Sequence, residues 1–191
     1  MITIHPNLTH ELACMGICNQ LNIPFPDSPN LLESPNIWIA DSAATVHISP
    51  HHGHVTNHKS SNQRVSLGDK SSIQTLQTGD ISGTMFNRFG KPIGSGKLTD
   101  VALTPTGYNL FSVTKMQLHG WELHGNRNQI WLTKGHQTIT FDIPISTKTG
   151  RLFTMYMDRS ACNSAAAAFT IDAPINNHLY TPSSPLDLQA A

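Results

Sequence analysis

Trp38-Ile39-Ala40-Asp41-Ser42-Ala43-Ala44-Thr45 reads as a short apolar strand running into a turn of small residues, with an acid at its edge. The strand, Ile37 to Ala40, would anchor the loop in a core and project Asp41 from its end. One carboxylate cannot serve as acid and base at once. Two copies of the loop, brought together across a twofold axis, can share one proton between their Asp41 side chains, because adjacent like charges resist ionising together. One then acts as base on a water and the other as acid. Small side chains at Ala43 and Ala44 permit the approach, and Ser42 can hydrogen-bond its counterpart. An Asp-Ser pair by itself is a weak signal. Asp27-Ser28 runs into Pro29 within a proline-crowded stretch and reads as a plain turn.

Outward from this stretch, period-two alternation recurs at Val65/Leu67, Ile81/Gly83/Met85, Ile130/Leu132, Ile139/Phe141/Ile143/Ile145 and Phe153/Met155/Met157, so strands dominate. Turn signals at Gly68-Asp69, Thr78-Gly79-Asp80, Gly94-Ser95-Gly96, Gly125-Asn126 and Lys134-Gly135 give the short spacing of an all-β sandwich or closed barrel. A single short helix is expected from Val113 to His119. Ser112 can N-cap it, Phe111 and Met116 can form a hydrophobic staple, and Gly120 can close it. Composition shifts place the folded domain at 36–158. Residues 1–35 form a flanking segment with a Pro-rich linker and a weak helix signal from Leu8 to Leu21. Residues 159–191 form a low-complexity tail, marked by Ala161-Cys162-Asn163-Ser164 and four further alanines.

A chain of 191 residues accommodates one domain with a proper core. Twelve Lys and Arg balance twelve Asp and Glu, so the formal charge is zero and no phosphate-binding surface is indicated; direct nucleic-acid binding is not expected. The charged fraction of 13% leaves the polar surface to Thr, Ser, Asn, Gln and His, which suits strands better than exposed helices. Three cysteines, Cys14, Cys18 and Cys162, fall outside the expected domain; an odd number argues against a disulfide framework and for a reducing, cytoplasmic setting. No apolar run of membrane length and no signal peptide is legible, so no membrane partner is expected.

Four ordered blocks, together spanning about Trp38 to Tyr156, resemble the protease segment of copia-type (Ty1/copia) retrotransposon Gag-Pol polyproteins, also described as the Pol β-barrel domain. The first is Trp38-Ile39-Ala40-Asp41-Ser42-Ala43-Ala44-Thr45-Val46-His47-Ile48, similar to the family's Trp-x-x-Asp-Ser-Gly-Ala-x-x-His-Met. The second is Val65-Ser66-Leu67-Gly68-Asp69 followed by Thr78-Gly79-Asp80-Ile81. The third and most specific is Leu98-Thr99-Asp100-Val101-Ala102-Leu103-Thr104-Pro105 leading to Tyr108-Asn109-Leu110-Phe111-Ser112-Val113 and Gly120. The fourth is Gly150-Arg151-Leu152-Phe153. The resemblance implies a small closed β-barrel of the retropepsin-like type. It also implies a homodimeric aspartic endopeptidase that needs no cofactor, takes its catalytic aspartate from the position of Asp41, and cleaves the element's own polyprotein inside cytoplasmic virus-like particles. A flap over the substrate is expected from about Thr75 to Arg88, centred on Thr78, Gly79 and Asp80. Ala43 departs from the family's glycine beside the aspartate. A catalytically decayed or repurposed non-enzymatic β-barrel module is the alternative reading.

Histidines gather at His47, His51, His52, His54 and His58. No cysteine accompanies them and no His-Glu-x-x-His spacing appears, so a solvated loop outweighs a metal site. His10, Cys14 and Cys18 lack a Cys-x-x-Cys pair, which leaves zinc binding the weaker reading there. Trp38, Trp121 and Trp131 are expected in the core or in a substrate groove.

Overall fold

The computed structural model describes residues 31–66, 72–105, 107–146, 150–159 and 169–170. The expected helix from Leu8 to Leu21, the three cysteines and most of the expected tail lie outside the described residues. Twelve strands run in chain order as β1 (Ile37–Asp41), β2 (Ile48–Ser49), β3 (Val55–Ser66), β4 (Ser72–Phe86), β5 (Pro92–Leu103), β6 (Leu110–Ser112), β7 (Glu122–Gly125), β8 (Ile130–Lys134), β9 (Gln137–Phe141), β10 (Ile143–Ser146), β11 (Arg151–Asp158) and β12 (Phe169–Thr170). A single turn of 3-10 helix precedes them at Leu31–Glu33, and one short helix, α1, spans Val113–Leu118. The all-β class with one short helix is therefore what the chain forms. Among the described residues no helix is long and apolar enough to cross a membrane.

The main sheet follows the order β10-β11-β1-β6-β2-β5-β4-β3 and then returns on itself, because β11 also pairs with β4. The pairings β11-β1-β6-β2-β5-β4-β11 thus form a ring of six strands, with β3, β10 and β12 attached outside it. Within the ring β1 and β6 run parallel, with Ile39 opposite Leu110 and Asp41 opposite Ser112. β7, β8 and β9 form a separate antiparallel meander.

β1 shows no alternation because both of its faces are covered. Trp38, fully buried, packs into the main core with Phe111, Phe141, Ile81, Met85, Leu98 and Met155. Ile37 turns the other way, into a smaller cluster with Ile143 and Tyr156 that the 3-10 residues Leu31 and Leu32 cap. Each large side chain buried in this way contributes about 2–3 kcal/mol. The helix forms as the sequence predicts. Ser112 Oγ accepts from Lys115 N–H at 3.0 Å, Gly120 adopts φ 80°, and Trp121 N–H donates to Met116 C=O to close the last turn.

Two expected turns are instead strand interior. Thr78-Gly79-Asp80 lies in the middle of β4, and Gly94-Ser95-Gly96 lies within β5. The actual β4–β5 turn is 87–91, where Gly90 takes φ 75° and the buried Asp142 carboxylate accepts the Arg88 N–H with both oxygens, at 3.2 and 3.0 Å. Burial pushes the Asp142 carboxyl up despite these bonds. The β4 glycines serve close approach rather than turning. A Cβ on Gly79 would collide with Val55 and crowd the Thr56 carbonyl, and one on Gly83 would sit 2.6 Å from Met157 Cγ and 2.7 Å from the Asp158 carbonyl oxygen.

Gly83 faces the seam where β4 meets β11, so Gly83→Ala should destabilise the fold by about 1–3 kcal/mol through overpacking. Urea denaturation of the two proteins, with unchanged slope and a lower midpoint for the variant, would register the loss.

Candidate active site

Asp41 is the last residue of β1, and its backbone lies opposite Ser112 at the end of β6. Its carboxylate is held by its own loop. Oδ1 accepts the N–H of Ala43 at 2.7 Å and that of Ala44 at 3.2 Å, an Asx-type turn that short side chains make easy. Two backbone dipoles therefore point at one carboxylate oxygen while Asp41 stays only partly buried. Ser42 and Ala43 are exposed.

The loop is clamped from the helix side. Ser112 Oγ, already the N-cap of α1, donates to the Ala44 carbonyl at 2.6 Å. Thr114 Oγ1 donates to the same carbonyl and, at 3.3 Å, to that of Ser42. One hydroxyl thus joins helix start and aspartate loop. The Ser112 N–H in turn donates to Nδ1 of His47 at 3.0 Å. His47 is fully buried, its ring 4.8 Å from that of Phe111. A ring nitrogen that accepts a backbone N–H carries no proton, so His47 is held in the tautomer protonated at Nε2.

Beside the loop runs a groove of about 500 Å³. Asp41, Ala43 and Ala44 of the loop, Ile48 and Leu110 of β2 and β6, and Arg64 and Val65 of β3 line it. The groove combines an acid with apolar side chains and one guanidinium.

Asp41, Ser42 and Ala43 come together here. Thr78, Gly79 and Asp80 do not: they lie within the β3-β4-β5 ladder rather than at a hairpin tip. The expected flap from Thr75 to Arg88 is mostly strand, and residues 67–71, between β3 and β4, lie outside the described residues. Asp80 instead organises two β-bulges. Oδ2 accepts from Asn57 Nδ2 at 2.7 Å and Lys97 Nζ at 3.1 Å, and Oδ1 accepts from the Asp100 N–H at 3.2 Å. Asn57 and Asp100 hold φ of 51° and 49°, left-handed positions at register shifts of the two flanking strands. Burial opposes ionisation of Asp80, but the bonds from Asn57, Lys97 and Asp100 outweigh it and hold the carboxyl below its ordinary range.

The histidine cluster divides. His47 belongs to the core, His51 is half-buried, and His52, His54 and His58 are exposed. Among the described residues no three His, Cys, Asp or Glu side chains converge as metal ligands. Trp38 and Trp121 fill the core, whereas Trp131 stacks on His124 at 5.7 Å on the outer meander. Sequence reading missed the clamp by Ser112, Thr114 and His47 and the groove wall from Arg64. The N-cap at Ser112 was the one available signal.

Two outcomes follow. Ser112→Ala removes both a helix cap and the loop clamp, so thermal denaturation should show a loss of about 1–2 kcal/mol, with faster amide exchange at Ala43 and Ala44. Asp80 titrates lower in the fold than in the unfolded chain. Its stabilisation is therefore complete above the ordinary aspartate range and lost as pH falls through the lower folded value. Asp80→Asn should cost about 1–3 kcal/mol at neutral pH, and urea midpoints of the two proteins should converge in acid.

Residues 38–121 match the family model described as Pol polyprotein, beta-barrel domain. No curated protein and no solved structure matches the chain.

Proposed function

From the match of residues 38–121 to the Pol polyprotein beta-barrel domain, we propose that the chain is a copia-type retrotransposon aspartic endopeptidase that works as a homodimer, each copy supplying its Asp41. The observation that supports the reading most is the Asp41 loop. The carboxylate ends a core strand, receives two N–H groups on one oxygen, and borders a groove of about 500 Å³. Among the described residues that line the groove, Asp41 is the one carboxylate.

In this reading two Asp41 carboxylates meet across a twofold axis and share a proton. The ionised partner takes a proton from water as that water attacks the scissile carbonyl, and the protonated partner donates to the developing oxyanion. Ser42, exposed on each loop, braces the pair, while Ser112 and Thr114 keep the loop carbonyls fixed. The substrate is a polypeptide, the element's own polyprotein, held extended along the groove. The setting is the cytoplasm, within virus-like particles.

Ala43 is the feature that favours the alternative of a decayed or repurposed module. It is not among the residues with positive φ, so alanine is conformationally permitted where the family has glycine. The residue is exposed, and in the dimer reading its methyl meets the second loop. The cost of this residue is therefore one of packing between copies.

Cleavage of a polyprotein-derived peptide at high protein concentration should be best in mild acid and should fall by about a thousandfold or more in Asp41→Asn. Ala43→Gly should raise activity and tighten dimerisation, read by peptide cleavage and by sedimentation. A wild-type chain and an Ala43→Gly variant that are both monomeric and both inert would decide for the non-enzymatic module.

A further inference from the structure

A second cavity, of about 450 Å³, lies at the opposite end of β1 from Asp41. Arg159, His51, His52 and His54 line it together with Asn36 and Gly53, and none of the eight residues around it is acidic. Arg159 is only 4% exposed. Its guanidinium donates to the carbonyls of Pro35 at 3.5 Å, His51 at 3.2 Å and Gly53. These bonds staple the 50–54 loop to the start of β1. They are bonds to neutral carbonyls, and among the described residues no carboxylate lies within ion-pair distance of Arg159.

A guanidinium has five N–H donors, and three bonds leave two uncommitted; Nε has no hydrogen-bond partner. Nε2 of His51 is likewise buried without one. Burying a cation without a counter-charge is costly, and carbonyl dipoles offset it only in part. The neighbours add to the imbalance: burial first, then the Arg159 charge, pushes the His51 imidazole down. Burial does the same to Arg159. The region therefore presents one positive charge, spare N–H donors and adjacent imidazoles around an open cavity.

We propose that this cavity is a carboxylate-binding site that takes an acidic side chain or a chain end of a peptide. One buried guanidinium matches a single negative charge. A polyphosphate would remain under-neutralised there. A nucleic-acid strand is recognised by rows of cations that follow its backbone, whereas this site is a single recessed arginine. The planar guanidinium suits the planar carboxylate, and the exposed His52 and His54 rings can donate to it from the rim.

The test uses the full chain and NMR titration with three probes: acetyl-glutamic acid amide for a side-chain carboxylate, acetyl-alanine for a chain end, and dimethyl phosphate for a phosphodiester. Chloride at matched ionic strength is the background. Either carboxylate should give saturable shifts at the Gly53 N–H and the His52 and His54 rings, and the titration midpoint of His51 should rise on binding. Tighter binding of the first probe assigns a side chain, and of the second a chain end. Arg159→Gln should abolish binding, and the double variant His52→Ala/His54→Ala, which removes no staple, should weaken it about three- to tenfold. The proposal is overturned if no carboxylate saturates the site, if chloride reproduces the shifts, or if dimethyl phosphate binds more tightly than both carboxylates. Should Arg159→Gln fail to fold, undiminished binding in the double variant overturns it equally.

Discussion

The parallel pairing of β1 with β6 is the constraint on which the rest of the molecule depends. Strands distant in sequence are brought side by side, and a polar side chain fixes each end of the pair. At the start, the fully buried Asn109 donates through Nδ2 to the carbonyls of Ser34, Pro35 and Ile37, while its Oδ1 accepts from Ser49 Oγ at 2.8 Å. At the far end, Ser112 reaches across to the Asp41 loop. Neither polar group is left unmet in the interior, and each ties together segments that apolar packing alone would leave free to slide. Register between β1 and β6 decides where Asp41 stands relative to the helix start.

How much of this was legible follows from which interactions are local. The strand Ile37 to Ala40, the helix with its cap at Ser112 and the closing Gly120 are read from neighbours in the chain, and the structure has them. The interior of β4 was misread because glycine beside Thr and Asp is a turn signal only when nothing else approaches the backbone. Here Val55 and Met157 approach it, from strands whose positions no local pattern reveals. His47 was misgrouped for the same reason. Its sequence neighbours are histidines of an exposed loop, but its spatial neighbours are Phe111 and the Ser112 N–H. The Asp41 loop was legible because its turn is built within three residues.

The two ends of β1 have different characters. One carries an acid beside a groove and the other a buried arginine beside a cavity, and the strand residues Ile37 to Ala40 separate them. A rigid strand covered on both faces keeps the two apart at fixed spacing. Acidic and basic chemistry can thus sit on one short element without neutralising each other. Asp80, a buried carboxylate, is spent internally on Asn57, Lys97 and the Asp100 N–H, which explains an acid in mid-sheet with no part in either site.

The seam between β1, β11 and β4 has a consequence for how the chain comes to be folded at all. Asn36 bonds to Tyr156 across 120 residues, and Met85 meets Met157 in the same seam. Closure of the ring is therefore the most non-local event in the molecule, and loop-closure entropy must be met before those contacts return anything. The stretch that the family model matches ends at residue 121, before β11 begins. That stretch holds β1 and β4 but not β11, the strand with which both pair at the seam. The contacts that close the ring therefore wait on the last long strand in chain order.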